Sequence, residues 1–210
     1  MIQRLLVVVL LVAAVVGGLG FWRWKAAIPV QHKIVRAARY HGHSADELWK
    51  VATDFGNSPQ WRSDLKGMEA LPKLRGHEVW RETWADGRSV SLETVESLEG
   101  RRMVRCVVDQ GGDFGGCWTF EIYDRDGGDC AIAITEGLTI HSSWMRLTTT
   151  TNDRKAFLDT WLQAIGTKLG DPNPRFGDSM VEVSRPPKTE APPAAEAAPA
   201  AEAAPAAPVQ

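Results

Sequence analysis

Between His77 and Ile140 the chain repeats one pattern: a run alternating in polarity, then a turn too short for anything but reversal. The runs are HEVWRETW (77–84), RSVSLETVES (88–97), RRMVRCVVD (101–109), GCWTFEIYD (116–124) and DCAIAITEGLTI (129–140). Ala85-Asp86-Gly87, Glu99-Gly100, Gln110-Gly111-Gly112 and Asp126-Gly127-Gly128 separate them, all turn-forming combinations. Parallel neighbours need a crossover of a dozen or more residues, so these connections dictate antiparallel pairing and a meander.

What flanks the meander decides how its apolar face is covered. QHKIVRAARY (31–40) reads as a first strand of weak alternation. Ser44 and Glu47 then form a capping box that opens a helix through about Asp54, with Leu48, Val51, Ala52 and Phe55 on one side. Asn57-Ser58-Pro59 ends it, and a short turn carrying Trp61 follows. Beyond the strands, Leu158, Trp161, Leu162, Ile165 and Leu169 recur at three and four in a helix over about 151–169, stopped by Gly170. The result is an α+β domain over 31–170, in which the last helix is the one element long enough to cover a curved sheet. A long helix across a curved sheet leaves a gap, filled by large side chains or by a ligand.

The two ends are of different character. After a short tail (1–4), LLVVVLLVAAVVGGLGFW (5–22) is uncharged and nearly long enough, at ~1.5 Å per residue, to cross a ~30 Å hydrocarbon core. Trp22 and Trp24 belong at the interface and Arg23 and Lys25 at the headgroups of a juxtamembrane linker over 23–30. No A-x-A-like cleavage site follows closely, which favours an uncleaved anchor over a signal peptide. The expected location is a membrane, crossed once. Counting Arg4 against Arg23, Lys25, Lys33 and Arg36 puts the domain in the cytoplasm, whereas a signal anchor would export it, so the side stays open. From 171 to 210 the chain is expected to be a disordered tail, with an imperfect AAEAAPA repeat and no means of burying a core after Pro186.

A formal charge of -2 removes the general electrostatic case for nucleic acid. Cys106, Cys117 and Cys130 form no C-x-x-C pair for zinc. If Trp118 points inward on one strand and Val104, Cys106 and Val108 inward on the next, Cys106 and Cys117 lie on opposite faces and stay free thiols. A bulge at Gly115-Gly116 would shift that register and permit a bridge.

Four spaced segments, in this order, carry a resemblance: Ser58 to Ser63 around Trp61, Val79 to Glu82, Phe114 to Thr119 (FGGCWT) and Ile134 to Gly137 (ITEG). Together they resemble the SRPBCC (START-like, polyketide cyclase/dehydrase-type) superfamily, in particular a membrane-anchored bacterial subgroup, over residues 31–170. The resemblance implies a helix-grip fold: about seven antiparallel strands wrapped on the C-terminal helix around an apolar cavity. It implies hydrophobic ligands, lipids among them, and names no chemistry.

Candidate residues follow from strand parity. Trp80, Glu82 and Trp84 share a face, so indoles pointing into the cavity take Glu82 with them. Such a carboxylate is a candidate general acid or ligand anchor, and an ion pair with an arginine at the cavity mouth is the simpler reading. Glu136 invites the same two readings. Trp61, Trp118, Phe120 and Trp161 are the expected lining, with plain core packing the equal alternative. Gly115 and Gly116 suit a bulge or a close backbone approach where the strand bends. His41 and His43 lack a third ligand, and Asp124 to Asp129 departs from a calcium loop, so no metal is expected. Nor is a cofactor, since no G-x-S-x-G, H-E-x-x-H, P-loop or G-x-G-x-x-G occurs. The leading function is a membrane-tethered binding module for a hydrophobic small molecule or lipid. The alternatives are a cyclase/dehydrase-type enzyme using Glu82, with Arg81 or Glu136, for proton transfer, and a ligand-free interaction module.

Overall fold

The computed structural model describes residues 2–184. It begins with α1 (Ile2–Ala26), β1 (Gln31–Tyr40), α2 (Ala45–Thr53) and a single 3-10 turn at Ser58–Gln60. Six strands follow: β2 (Leu65–Leu74), β3 (His77–Trp84), β4 (Ser89–Leu98), β5 (Arg102–Val107), β6 (Phe114–Arg125) and β7 (Asp129–Ile140). The chain ends in α3 (Ser143–Thr148), α4 (Thr151–Leu169), β8 (Arg175–Gly177) and α5 (Met180–Ser184). Every pairing is antiparallel, and the spatial order β2-β3-β4-β5-β6-β7-β1-β8 is the expected meander closed by the first strand against the last long one.

The local signals act where the sequence places them. Ser44 caps α2, accepting from the Glu47 amide while the Glu47 carboxylate accepts from the Ser44 amide. α4 is opened by the equivalent box between Thr150 and Asp153 and stopped by Gly170 in the left-handed region. Leu158, Trp161, Leu162 and Ile165 of α4 are buried against the sheet, and the Tyr40 hydroxyl donates to the Leu162 carbonyl at 2.9 Å. Gly166 stands where the helix passes Tyr40 and the chain returning through Asp171, and a Cβ there would lie 2.6 Å from the Asp171 carbonyl.

The glycine pair before Trp118 is a close approach and not a bulge. The β6–β7 register runs unbroken from Phe114↔Ile140 to Arg125↔Asp129. Gly116 sits at φ 122°, and a Cβ would fall 2.2 Å from the Gly137 carbonyl oxygen of β7. Trp118, Phe120 and Ile122 then point into the core as expected.

The cysteines overturn an expectation. Cys106 and Cys117 are cross-strand partners and form a disulfide, with Cα atoms 4.1 Å apart. The cause is the parity of β5: Met103, Arg105 and Val107 are its buried residues, so Cys106 faces outward with Cys117. Val104, Cys106 and Val108 read as the apolar face because the other parity carries a charge. Cys130 is free and buried, and burial pushes its thiol up to about 12.

Order also extends beyond 170. β8 pairs with the outer edge of β1, and Val183 of α5 packs on Ala37 and Ala133, so 171–184 belongs to the domain. The Pro/Ala/Glu-rich tail expected from Pro186 lies outside the described residues. α1 contains one window, Leu6–Trp24, long and apolar enough to cross a membrane, none of it buried against the protein; a signal sequence meets the same test.

Candidate functional site

β3 presents Glu82 to the concave side of the sheet, 5% exposed, and β5 presents Arg105 beside it, 3% exposed. Arg105 Nη1 donates to Glu82 Oε1 at 2.6 Å. Its guanidinium lies over the Phe55 ring at 4.1 Å, a cation–π distance. Arg62, from the loop after the 3-10 turn, reaches within 3.9 Å of the other Glu82 oxygen while binding Asp64 through two nitrogens, and it stands over the Trp161 ring at 5.3 Å. Burial draws the Arg105 pKa down, against the Glu82 charge, which raises it.

These groups line a chamber of about 40 Å³ beneath α4, walled also by Trp84, Trp118, Phe120 and Trp161. Such a volume admits a water-sized group and not a whole hydrophobic ligand. Phe120 and Trp161 meet edge to face at 4.8 Å and fill much of the hollow the sequence led one to expect. A second, open groove of about 320 Å³ adjoins it, sharing Trp84, Trp118 and Phe157 and adding Phe114 and Met145. That volume lies in the range of small-molecule sites.

Three of the residues that line the chamber carry polar atoms without partners. Arg105 Nε and Nη2, Trp84 Nε1 and Trp161 Nε1 are buried with no hydrogen-bond partner in the protein. All four are donors, since neither guanidinium nor indole accepts. An unpartnered buried donor costs roughly 1–3 kcal/mol, so several together mark a place where an acceptor is expected.

Glu136 of β7 is arranged differently. It is 0% exposed and accepts from His32 Nε2 at 3.0 Å, Trp118 Nε1 at 2.8 Å, and both Arg154 Nε at 3.0 Å and Arg154 Nη2. Burial pushes its pKa up, yet the hydrogen bonds from His32 and Arg154 outweigh this and hold it below the usual carboxylate range. The cluster ties β1, β6 and β7 to the first turns of α4.

Of the sequence candidates, Glu82, Trp118, Phe120 and Trp161 come together in the chamber. Trp80 packs on Phe55 instead, ring centroids 6.0 Å apart, and Trp61 lines a separate open depression of about 440 Å³ with Asp159 and Gln163. Arg81 points to solvent and pairs with Glu69 at 2.8 Å. Sequence reasoning missed Arg105, Arg62 and Phe157. The signal for Arg105 was available: a carboxylate sent inward by its strand needs a cation, and β5 carries one arginine on the parity that faces it.

Solved structures share this architecture. A START superfamily protein from Mycobacterium smegmatis matches with a TM-score of 0.54 at 16% identity, over 68% of this chain and 99% of its own. Zhui aromatase/cyclase from Streptomyces sp. R1128 gives 0.53 at 12%, covering 67% and 94%. Norcoclaurine synthase from Thalictrum flavum, solved with dopamine and hydroxybenzaldehyde, gives 0.52 at 12%, covering 72% and 92%. The chain therefore has the START-like fold, an antiparallel sheet with a long helix after it. No protein-family model and no curated protein matches the sequence.

Proposed function

We propose that this protein is a membrane-tethered binding module for a hydrophobic small molecule or lipid whose hydrogen-bond acceptor occupies the chamber under α4. The observation that carries the reading is the set of donors without partners on Arg105, Trp84 and Trp161, at the inner end of an apolar groove. The guest's body lies in the outer groove against Phe114, Met145 and Phe157, and its oxygen points inward. Dopamine and hydroxybenzaldehyde, present in the norcoclaurine synthase structure, are ring compounds of this general kind. Proton transfer by Glu82 gains no support from a carboxylate already engaged by Arg105. Solvent extraction and native mass spectrometry of protein purified from membranes test the reading. An apolar, oxygen-bearing species should co-purify and be lost from Val90→Phe, which narrows the chamber. Repeated recovery of an empty protein that also takes up no such compound would overturn it.

The tether is α1, and the Cys106–Cys117 bridge argues for a domain on the oxidising side, since disulfides persist in secreted and periplasmic surroundings and rarely in a cytosol. This outweighs the count of basic residues after the span. Protease added to intact spheroplasts should degrade the domain; protection until lysis would reverse the assignment.

A further inference from the structure

The end of the domain that carries the groove is also the end where α1 arrives. Arg23 Nη2 donates to the Thr148 carbonyl at 2.8 Å, the Ile28 amide donates to the Thr149 carbonyl at 3.2 Å, and Ala27 bridges Thr150. α3 is thereby fastened to the exit of the apolar helix. Its inner side supplies Met145 to the groove. Its outer side presents Trp144, 74% exposed, and Leu147, 40% exposed, three residues apart and so on one helical face. The nearby turn of α1 exposes Trp22 and Trp24. An exposed tryptophan and leucine fastened beside a membrane span have one ready solvent, the bilayer interface, where indoles are enriched.

We infer that α3 is a second membrane contact, seating Trp144 and Leu147 in the headgroup region so that the groove opens onto the lipid surface. The inference rests on α1 being inserted. The β3–β4 hairpin, which gives the groove Ala85, Asp86 and Arg88, lies at the same end. Leu98, at the other end of β4, is nine residues from Ser89, about 30 Å away at ~3.3 Å per residue. A guest then moves from lipid to groove without crossing water.

The test uses the full chain in vesicles of phosphatidylethanolamine and phosphatidylglycerol, with an environment-sensitive fluorophore on single introduced cysteines: Val15→Cys in the span, Ser143→Cys beside Trp144, and Leu98→Cys at the far end. The native cysteines are bridged or buried. Lipids spin-labelled near the headgroup should quench Ser143→Cys several-fold more than Leu98→Cys. Lipids labelled deep in the chain should quench Val15→Cys. Adding Trp144→Ser and Leu147→Ser, both at exposed sites, should bring the Ser143→Cys signal down toward that of Leu98→Cys. With Val15→Cys quenched, an unquenched Ser143→Cys, or one indifferent to the two serines, overturns the contact and leaves the tether standing. An unquenched Val15→Cys removes both.

Discussion

Glu82 and Glu136 are both carboxylates sealed under the same helix, both beside a tryptophan and an arginine, and they are opposites in what surrounds them. Glu136 is saturated: four donor atoms from β1, β6 and α4 converge on its two oxygens. Around Glu82 less is engaged: Arg105 spends Nη1 on the ion pair and leaves Nε and Nη2 without a partner, and the second Glu82 oxygen meets Arg62 only at 3.9 Å. A buried carboxylate whose oxygens are all engaged is structural, even though His32 Nδ1 beside it lacks a partner; a cluster with several unpartnered donors invites an acceptor. The difference separates scaffold from site more sharply than burial does, because both residues are buried alike.

The largest effect that would break this comparison is on stability. Glu136→Leu leaves the Arg154 guanidinium, His32 and the Trp118 indole without their acceptor, and breaking a buried charge cluster this way costs about 3–5 kcal/mol. No second substitution repairs it, because the stranded donors sit on three elements. Chemical denaturation should show the loss whether or not a guest is present. A change under about 1 kcal/mol would mean that the cluster does not hold α4 down.

The Glu82–Arg105 pair should respond differently. Arg105→Met alone strands a buried carboxylate and costs a comparable amount, but Glu82→Leu with Arg105→Met removes both charges, and such replacements are often neutral or stabilising. The double variant should fold with stability within about 1–2 kcal/mol of the parent and retain none of the co-purifying guest. A double variant that still holds its guest would show that the unpartnered donors recognise nothing. Val90→Phe comes next in size: overpacking costs about 1–3 kcal/mol, with the fold kept and the guest lost.

How much of this contrast was written in the chain depends on which residues are asked. The long strands from β3 to β7, the Ser44 capping box and α4 follow from turn chemistry and periodicity acting over a few residues, and the structure has them where the sequence put them. The inward turn of Glu82 was also legible, from parity alone. β2 was not, because Pro72 and the shift in register between Leu71 and Leu74 blur its alternation at the sheet edge. β8 was not, because three residues carry no period and it is held by β1. The face of β5 was misread for an instructive reason: hydrophobic patterning assigns an arginine to solvent, and this one is kept inside by Glu82, two strands away. The near closure of the chamber is a matter of how Phe120 and Trp161 interlock, which no pattern along one chain encodes.

The smallest predicted effect is a change of slope with pH. The native pKa of Glu136 lies below its ordinary value of 4.5. A carboxyl held lower in the folded state than in the unfolded state contributes stability that is fully present above the unfolded value. That contribution fades as pH falls through the native one. Protonation of Glu136 therefore belongs to the acid side of the stability profile, below about pH 4.5, and has no counterpart near neutrality. Glu136→Gln lowers stability at every pH but removes this titration, so its profile should fall less steeply below that value than the parent's. Part of the slope persists, because Glu93 and Asp178 are also held low by their arginine partners. Urea midpoints at pH 6, 4.5 and 3.5 suffice to tell. Parallel profiles for parent and Glu136→Gln would mean that Arg154 and His32 do not hold the carboxylate charged, and the distinction between a saturated and an unsaturated carboxylate would lose its electrostatic footing.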